Sequence, residues 1–184
     1  GSTIDDAAGE AFDKVAAILK LGYPGGPSIE KIAANGDAKA IEFPRSMLGS
    51  DSLDFSFSGI KTAVLYHCRG QDMKGEDRVE SMSQNEKADI AASFQAAVVD
   101  VLVAKTKRAA DRINAKTVLL GGGVAANTTL RQKLTGVCDA TKRKLLIAPK
   151  RLCTDNAVMV ASLAYHKFKV GRFADLALEA VATS

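Results

Sequence analysis

The chain has 184 residues, of which 47% are hydrophobic, so it is long enough to bury a sizeable core as one domain or one lobe. Its 25 Lys and Arg residues outnumber its 21 Asp and Glu residues, and the formal charge of +4 is too small to indicate a nucleic-acid-binding protein by itself. Three cysteines without C-x-x-C spacing favour a reducing, cytosolic environment, and no apolar run approaches the roughly 20 residues of a membrane helix.

The first predicted element is a helix over residues 3–20. Thr3 or Asp5 can cap it, and acidic residues suit its first turns because of the helix dipole. The side chains that repeat at helical spacing, and so predict the face toward the core, are Ala8, Phe12, Val15 and Leu19. Asp13 lies outside this apolar face.

A cluster of prolines and glycines at 23–27 then breaks the chain. A short helix is predicted over residues 27–34, with Gly36 at its end. Pro27 suits the first position of this helix because the N–H that proline lacks would be unpaired there.

The middle of the chain alternates between irregular and regular segments. Residues 37–53 are irregular, whereas the alternation of apolar and polar side chains at 54–58 predicts a short strand. A helix is predicted over 59–69, followed by a polar loop at 70–84. The apolar side of this helix is predicted to hold Ile60, Val64 and His67.

The longest predicted helix covers residues 85–114. Its apolar face comprises Ile90, Phe94, Val98, Val101 and Leu102. A strand at 117–120 follows and ends in three glycines, after which another helical pattern opens. The apolar side of that helix comprises Leu130, Leu134 and Val137.

A strand, a glycine turn and a helix start form a seat for an anion or a nucleotide. Glycines let a ligand approach the backbone, and the helix N-terminus offers unpaired N–H groups. Asn127 lies in the first turn, where its amide can face the ligand. A plain β–α turn is the alternative interpretation. The dinucleotide fingerprint is weak here, because no acidic residue about 20 positions on lies at a strand end.

A second strand, predicted as buried, covers residues 144–149, and a helix over 156–169 follows it. Thr154 or Asp155 is predicted to cap this helix, and Gly171 to end it. Two strand–turn–helix units predict an α/β architecture with a partly parallel sheet. The two turns then open on the same edge of the sheet, where ligands bind.

Asp155 has two interpretations, a plain helix cap or a functional carboxylate that binds a metal or acts as a base. One carboxylate cannot hold a catalytic metal, since such sites need about three protein ligands. His67 and His166 do not form an H-x-x-x-H pair. The absence of G-x-S-x-G and Walker A motifs disfavours an α/β-hydrolase and a P-loop ATPase.

Four stretches together resemble the TsaD family of tRNA threonylcarbamoyladenosine synthases, formerly described as O-sialoglycoprotein endopeptidases. They are I-D-D-A-A-G-E-A-F-D-K at 4–14 with Y-P-G-G-P at 23–27, F-S-F-S-G-I-K-T at 55–62, G-G-V-A-A-N at 122–127 with L-R at 130–131, and C-T-D-N at 153–156. They follow the family's order over nearly the whole chain, so the match is far more specific than any single motif.

The resemblance implies an α/β fold, namely one ribonuclease-H-like lobe of the actin-like ATPase (ASKHA) fold. In that family the active site lies between two such lobes. Residues 1–184 then form a single C-terminal lobe, and the N-terminal lobe is absent from this chain together with its two metal-binding histidines and its glycine-rich substrate loop. We therefore expect the fragment alone to be inactive.

The resemblance also assigns site residues by position. Those that bind an adenylate or ATP-type ligand are Asp13, Gly26, Gly122, Gly123 and Asn127. Asp13 contacts ribose hydroxyls, Gly26 permits close approach, and Asn127 lies beside the adenine or ribose. Asp155 matches the third ligand of one divalent metal, iron or zinc, which the two absent histidines complete. No residue of this chain is assigned a catalytic role beyond binding.

The implied enzyme transfers a threonylcarbamoyl group from threonylcarbamoyl-AMP to N6 of the adenosine 3′ of a tRNA anticodon. Its implied partners are tRNA, a paralogous actin-like subunit and the small ATPase of the threonylcarbamoylation complex, in the cytoplasm and away from membranes. Basic residues at 142–144 or 105–108 are candidate tRNA contacts. Two alternatives stay open: a metal-dependent glycoprotein endopeptidase, and a non-catalytic actin-like pairing module.

Overall fold

The structure is a computed structural model that describes residues 1–49, 51–70 and 77–179. The elements in chain order are α1 (Ala8–Ile18), α2 (Gly25–Ala33), α3 (Ser58–Arg69), α4 (Gln84–Arg112), β1 (Thr117–Leu120), α5 (Thr128–Ala140), β2 (Lys144–Ile147) and α6 (Ala157–Lys169). Single 3-10 turns lie at Arg78–Glu80, Gly123–Ala126 and Lys150–Leu152. The predicted helices and both strands of the two strand–turn–helix units are therefore present.

β1 and β2 pair in parallel along their whole length, which confirms the predicted α/β class with a small sheet. Successive strand side chains point to opposite faces. Val118 and Leu120 pack against the cluster under α5, whereas Leu119 is 76% exposed and Leu146 is 44% exposed. The prediction of a buried second strand is therefore wrong for the described residues, because they cover only one face of the sheet.

The main core lies among the four helices α1 to α4. Phe12, Val15 and Leu19 are buried as predicted, and Ala8 packs against them at the edge. The rings of Phe12 and Phe94 meet edge-on with centroids 5.1 Å apart, so the apolar faces of α1 and α4 face each other. The helical periodicity of both segments is confirmed.

α3 buries Ile60 and Val64 as predicted, but His67 is exposed. Cys68 is fully buried in its place. Residues four apart share one helix face, so the face that starts at Ile60 and Val64 continues at position 68 rather than 67. Of the predicted loop that follows, residues 71–76 lie outside the described part of the chain.

α1 begins five residues later than predicted, at Ala8, so neither Thr3 nor Asp5 caps it. Thr3 instead forms an isolated parallel bridge with Phe55. The strand predicted at 54–58 is therefore reduced to this single bridge. The local contact at the start of α1 comes instead from Glu10, whose carboxylate accepts the N–H of Ala7 at 3.4 Å. The contacts of Thr3 reach about 50 residues along the chain, and sequence pattern alone does not reveal them.

α2 and α6 also start differently from the prediction. α2 begins at Gly25, so Pro27 lies inside the first turn, where backbone N–H groups have no intrahelical acceptor. α6 is capped by Asn156, whose Oδ1 accepts the N–H of Met159 at 3.0 Å. Gly171 ends α6 as predicted, with φ of +70°.

α6 lies against none of the other described elements closely enough to bury a side chain. Its exposed apolar residues include Val158, Leu163 and Phe168. Within the described residues, no helix combines the length and the apolar character that a bilayer-spanning segment requires.

Asp5 anchors the loop before α3. Its carboxylate accepts hydrogen bonds from the hydroxyls of Ser56 at 2.6 Å and Ser58 at 2.7 Å, and from the backbone N–H groups of Phe57 at 2.8 Å and Ser58 at 3.2 Å. Partial burial raises the pKa of Asp5, but these four hydrogen bonds outweigh it and hold the pKa well below its usual range. The carboxylate therefore joins the N-terminal segment to the start of α3.

We predict that this anchor makes the chain less stable in acid. A carboxyl group whose pKa is lowered in the folded state contributes stability above its unfolded pKa of about 3.9, and the contribution falls away as the pH drops further. Asp5→Asn should lower the free energy of unfolding by about 1 kcal/mol at pH 7 and by much less at pH 2.5, in urea titrations.

Asp139→Asn serves as the matched control, because Asp139 is exposed on α5 and its carboxylate forms no hydrogen bond among the described residues. It should leave the unfolding free energy nearly unchanged at both pH values. An equal loss for Asp5→Asn at pH 7 and pH 2.5 would contradict the role of its charge.

Candidate functional site

A cavity of about 540 Å³ lies where the loop after β1 meets α1 and α2. The predicted site residues that line it are Asp13, Gly26, Gly123 and Asn127. Thr154, from the loop after β2, lines the same cavity. The two turns predicted to share an edge of the sheet therefore border one space, which falls within the roughly 300–1,000 Å³ of small-molecule sites.

Apolar side chains form much of the cavity wall. They are Phe12, Tyr23, Pro24, Pro27 and Val124. Such a wall suits a flat aromatic ring, and Tyr23 is 85% exposed, so its ring is accessible to a ligand. The loops at 23–27 and 123–127 thus enclose an apolar half of the site.

The glycines contribute in different ways. A Cβ added at Gly26 or Gly123 would meet no atom within 4 Å, because both positions face open space at the cavity. Gly122 does not line the cavity but has φ of +88°, a conformation that glycine adopts without strain, and it turns the chain after β1. Gly25 packs against α1, where a Cβ would lie 2.5 Å from the Cα of Asp13.

Asp13 faces the cavity from α1. One of its oxygens, Oδ1, accepts the backbone N–H of Gly25 at 2.7 Å, which fixes the side chain and ties α1 to the start of α2. The other oxygen has no hydrogen-bond partner among the described residues, and it is available to accept from a ligand hydroxyl.

Asn127 is the N-cap of α5 rather than a residue of its first turn. Its Oδ1 accepts the N–H of Leu130 at 2.9 Å, and its Nδ2 donates to Oε1 of Gln95 at 2.7 Å. Gln95 in turn donates from Nε2 to the hydroxyl of Thr129 at 3.2 Å. The N–H of Leu130 can only donate, so it fixes the orientation of the Asn127 amide and, through it, that of Gln95. One N–H of Asn127 and one lone pair remain for a ligand.

Gln95 and Glu30 belong to the site, and sequence reasoning missed both. Gln95, 7% exposed, is a polar side chain within the apolar stretch 90–99 of α4, and this contrast is the signal that could have found it. Glu30 lines the cavity, and its Oε1 accepts the N–H of Thr128 at 2.7 Å, at the positive end of α5. No comparable sequence signal marks Glu30.

Asp155 is exposed and does not line the cavity, although the residue before it, Thr154, does. Within the described ranges, no group of three His, Cys, Asp or Glu side chains lies close enough together to hold a metal. The metal-binding group at this position is the carboxylate of Asp155, and one carboxylate is fewer than the roughly three protein ligands that a catalytic metal site needs. His67 on α3 and His166 in the last turn of α6 are both exposed.

The basic residues at 105–108 are committed to other contacts. Lys105 is 1% exposed and donates to the carbonyls of Ser52 and Asp54, and Arg108 donates to the carbonyl of Leu48 at 2.8 Å. Lys107 pairs with an aspartate one turn along α4. The idea that this cluster contacts phosphates is therefore wrong for Lys105, which anchors a loop.

The second basic cluster, at 142–144, lies at the opposite edge of the sheet from the cavity. Lys144 is the first residue of β2, whereas the cavity is bordered by the loops that follow the strands. Arg143 pairs with Asp111 at 2.7 Å and donates to the carbonyl of Ala115 at 3.1 Å. The cluster at 142–144 is therefore separated from the candidate site by the length of the sheet.

Comparison with known proteins points to one family. The sequence profile described as "TsaD: tRNA N6-adenosine threonylcarbamoyltransferase" matches residues 1–162. Proteins named tRNA N6-adenosine threonylcarbamoyltransferase are 52% identical in Thermosipho africanus over 181 residues, 50% in Moorella thermoacetica over 186 residues and 53% in Desulfotalea psychrophila over 169 residues. These alignments cover 98%, 98% and 91% of this chain. They cover 52%, 51% and 48% of the relatives, so the chain spans about half their length.

Proposed function

Since the chain belongs to the TsaD family of tRNA N6-adenosine threonylcarbamoyltransferases, we propose that it is the nucleotide-binding lobe of such an enzyme. The lobe is the second of two ribonuclease-H-like lobes in an actin-like fold, and it is inactive alone. The observation that carries this proposal is the single cavity into which α1, α2 and the loop after β1 bring Asp13, Gly26 and Asn127.

The chemistry of the cavity suits the nucleoside end of threonylcarbamoyl-AMP. The carboxylates of Asp13 and Glu30 accept hydrogen bonds from ribose hydroxyls, and the apolar wall receives the adenine. None of the described residues that line the cavity is a Lys or Arg. The phosphate and the acyl group of the proposed ligand therefore extend out of the cavity on the side of Thr154, the lining residue that precedes Asp155 in the sequence.

In the proposed reaction the N6 amine of the adenosine 3′ of the tRNA anticodon attacks the carbamoyl carbon of the mixed anhydride. The new N–C bond forms, the C–O bond to the phosphate breaks, AMP leaves, and the amine loses a proton. This chain's residues hold the adenylate in one orientation, which converts binding energy into alignment of the reacting carbon.

Asp155 supplies one ligand of a divalent metal, iron or zinc, whose other ligands are two histidines from outside this chain. When bound, such a metal would orient the anhydride and stabilise developing charge on an oxygen. A single carboxylate at an exposed turn can provide one ligand of that metal, and the described residues supply no further ligands beside it. The partners proposed with the full enzyme are tRNA, a paralogous actin-like subunit and a small ATPase, in the cytoplasm.

The test uses cells that lack the gene and express either the full-length gene product or its Asp155→Ala variant. We expect the wild type to restore threonylcarbamoyladenosine in digested tRNA, measured by mass spectrometry, and Asp155→Ala to reduce it at least about tenfold. Asp139→Ala, on exposed α5 surface, is the control and should restore it fully.

Full modification by cells without the gene, or by the Asp155→Ala variant, would reject the proposal. Purified wild-type protein that cleaves a glycoprotein and loses this activity in Asp155→Ala would favour the endopeptidase. Unmodified tRNA together with intact subunit pairing in wild type would favour the non-catalytic module.

A further inference from the structure

Arg131 links the two loops that border the cavity. From α5, its Nε donates to the carbonyl of Ala125, in the loop after β1, at 2.5 Å. Its Nη2 donates to the carbonyl of Ala148, directly after β2, at 2.6 Å, and contacts the Sγ of Cys153 at 3.2 Å. One guanidinium group therefore holds the loop that carries Asn127 and the loop that carries Asp155.

The loop after β2 is fixed around this contact. The thiol of Cys153 is 4% exposed and lies 3.6 Å from the carbonyl of Ala148 and 3.5 Å from that of Pro149. Arg131 thus reaches both the start of the loop and the residue two positions before Asp155. Lysine does not reproduce this, because its single ammonium group cannot span acceptors that a planar guanidinium reaches from separate nitrogens.

We propose that Arg131 is a positioning residue that fixes the adenosine-binding loop relative to the loop of Thr154 and Asp155. It touches no cavity surface itself, and it acts through the carbonyls of Ala125 and Ala148. The consequence for ligands rests on the proposed function, in which one adenylate spans both loops. The mechanical link between the loops does not depend on that function.

Arg143 provides a matched control within the same unit. It also contacts a backbone carbonyl and a carboxylate, those of Ala115 and Asp111 at the end of α4, but it does so at the opposite edge of the sheet. Arg143→Lys therefore removes a comparable structural contact without reaching either loop of the cavity.

The first measurement is amide hydrogen exchange on the full-length gene product. Arg131→Lys should speed exchange about tenfold in both loops, at 121–127 and 149–156, because each loses a charge-assisted hydrogen bond to Arg131. Arg143→Lys should leave both loops unchanged. Faster exchange in only one loop, or in neither, would overturn the proposal, and this result does not depend on any ligand.

The second measurement is adenosine binding and steady-state kinetics of the same proteins. Arg131→Lys should raise the dissociation constant of adenosine about tenfold and lower kcat for tRNA modification as well, while Arg143→Lys changes each less than about twofold. Guanidinium ion at millimolar concentration should partly restore adenosine binding to Arg131→Ala and not to Asn127→Ala.

The two measurements separate the possible failures. Wild-type protein that does not bind adenosine, together with coupled exchange of the two loops, would reject the proposed function and support the link. Wild-type binding that Arg131→Lys weakens no more than Arg143→Lys does would overturn the role of Arg131 and leave the proposed function standing.

Discussion

Alanine at both Asp13 and Asn127 is expected to weaken AMP binding by the full-length gene product about 100-fold. Asp13 and Asn127 line the same cavity from different elements, and each has a hydrogen-bonding group left over, so the proposed nucleoside would contact both at once. Loss of a charged acceptor and a fixed amide removes two hydrogen bonds that water does not replace inside an apolar wall. Calorimetric titration with AMP measures the effect.

Loss of the helix cap needs a separate control, since Asn127 also caps α5. Ser83 caps α4 in the same way, with its hydroxyl accepting the N–H of Glu86 at 3.2 Å, and it lies outside the cavity. Ser83→Ala should lower the melting temperature, though less than Asn127→Ala, which also leaves buried Gln95 without its partner, and it should leave AMP affinity unchanged. Equal affinity for the wild type and the double variant would reject the nucleotide assignment.

Local periodicity was sufficient to predict the helical part of the fold. Phe12 and Phe94 lie on faces that recur every three to four residues in their segments, and the two rings meet in the core. The buried side chains of such a helix lie on one side, so the spacing of apolar residues in the sequence identifies the face that packs against the core. The parallel pairing of β1 with β2 follows for a similar reason, since a helix connects the two strands.

The prediction failed where distant contacts decide the outcome. Asp5 was assigned to a helix cap, but it binds residues 56–58, more than 50 positions away. Lys105 is a candidate tRNA contact in the sequence, but the carbonyls of a loop enclose it. Both side chains satisfy backbone groups of segments whose location the local sequence does not encode.

The candidate site shows the same division. Gly123 and Asn127 stand out in sequence because a glycine turn and a helix start have local signatures, whereas the family resemblance indicated Gly26. The structure brings all three to one cavity. Gln95 and Arg131 act through other residues, so their importance becomes visible only when their acceptors are in place. Asp155 does not line the cavity, and its role as a metal ligand stays a prediction.

The neighbouring glycines of α2 are expected to respond in opposite ways to alanine. A Cβ at Gly25 would lie 2.5 Å from the Cα of Asp13 and 2.6 Å from the carbonyl oxygen of Phe12, both backbone atoms of a helix in the core. These atoms cannot turn aside, so α1 and α2 must separate. Gly25→Ala should lower the free energy of unfolding by about 3 kcal/mol in urea titrations.

Gly26→Ala is the matched control for stability, because its Cβ would meet no atom within 4 Å and its φ is not positive. It should keep or slightly raise the free energy of unfolding, since alanine loses less chain entropy than glycine on folding. Its methyl group enters the cavity, however, and should weaken AMP binding about tenfold. Equal destabilisation by the two variants would contradict the close contact of Gly25 with α1. Unchanged AMP affinity in Gly26→Ala would place the ligand away from this wall, because a bound nucleoside in contact with Gly26 leaves no room for the added carbon.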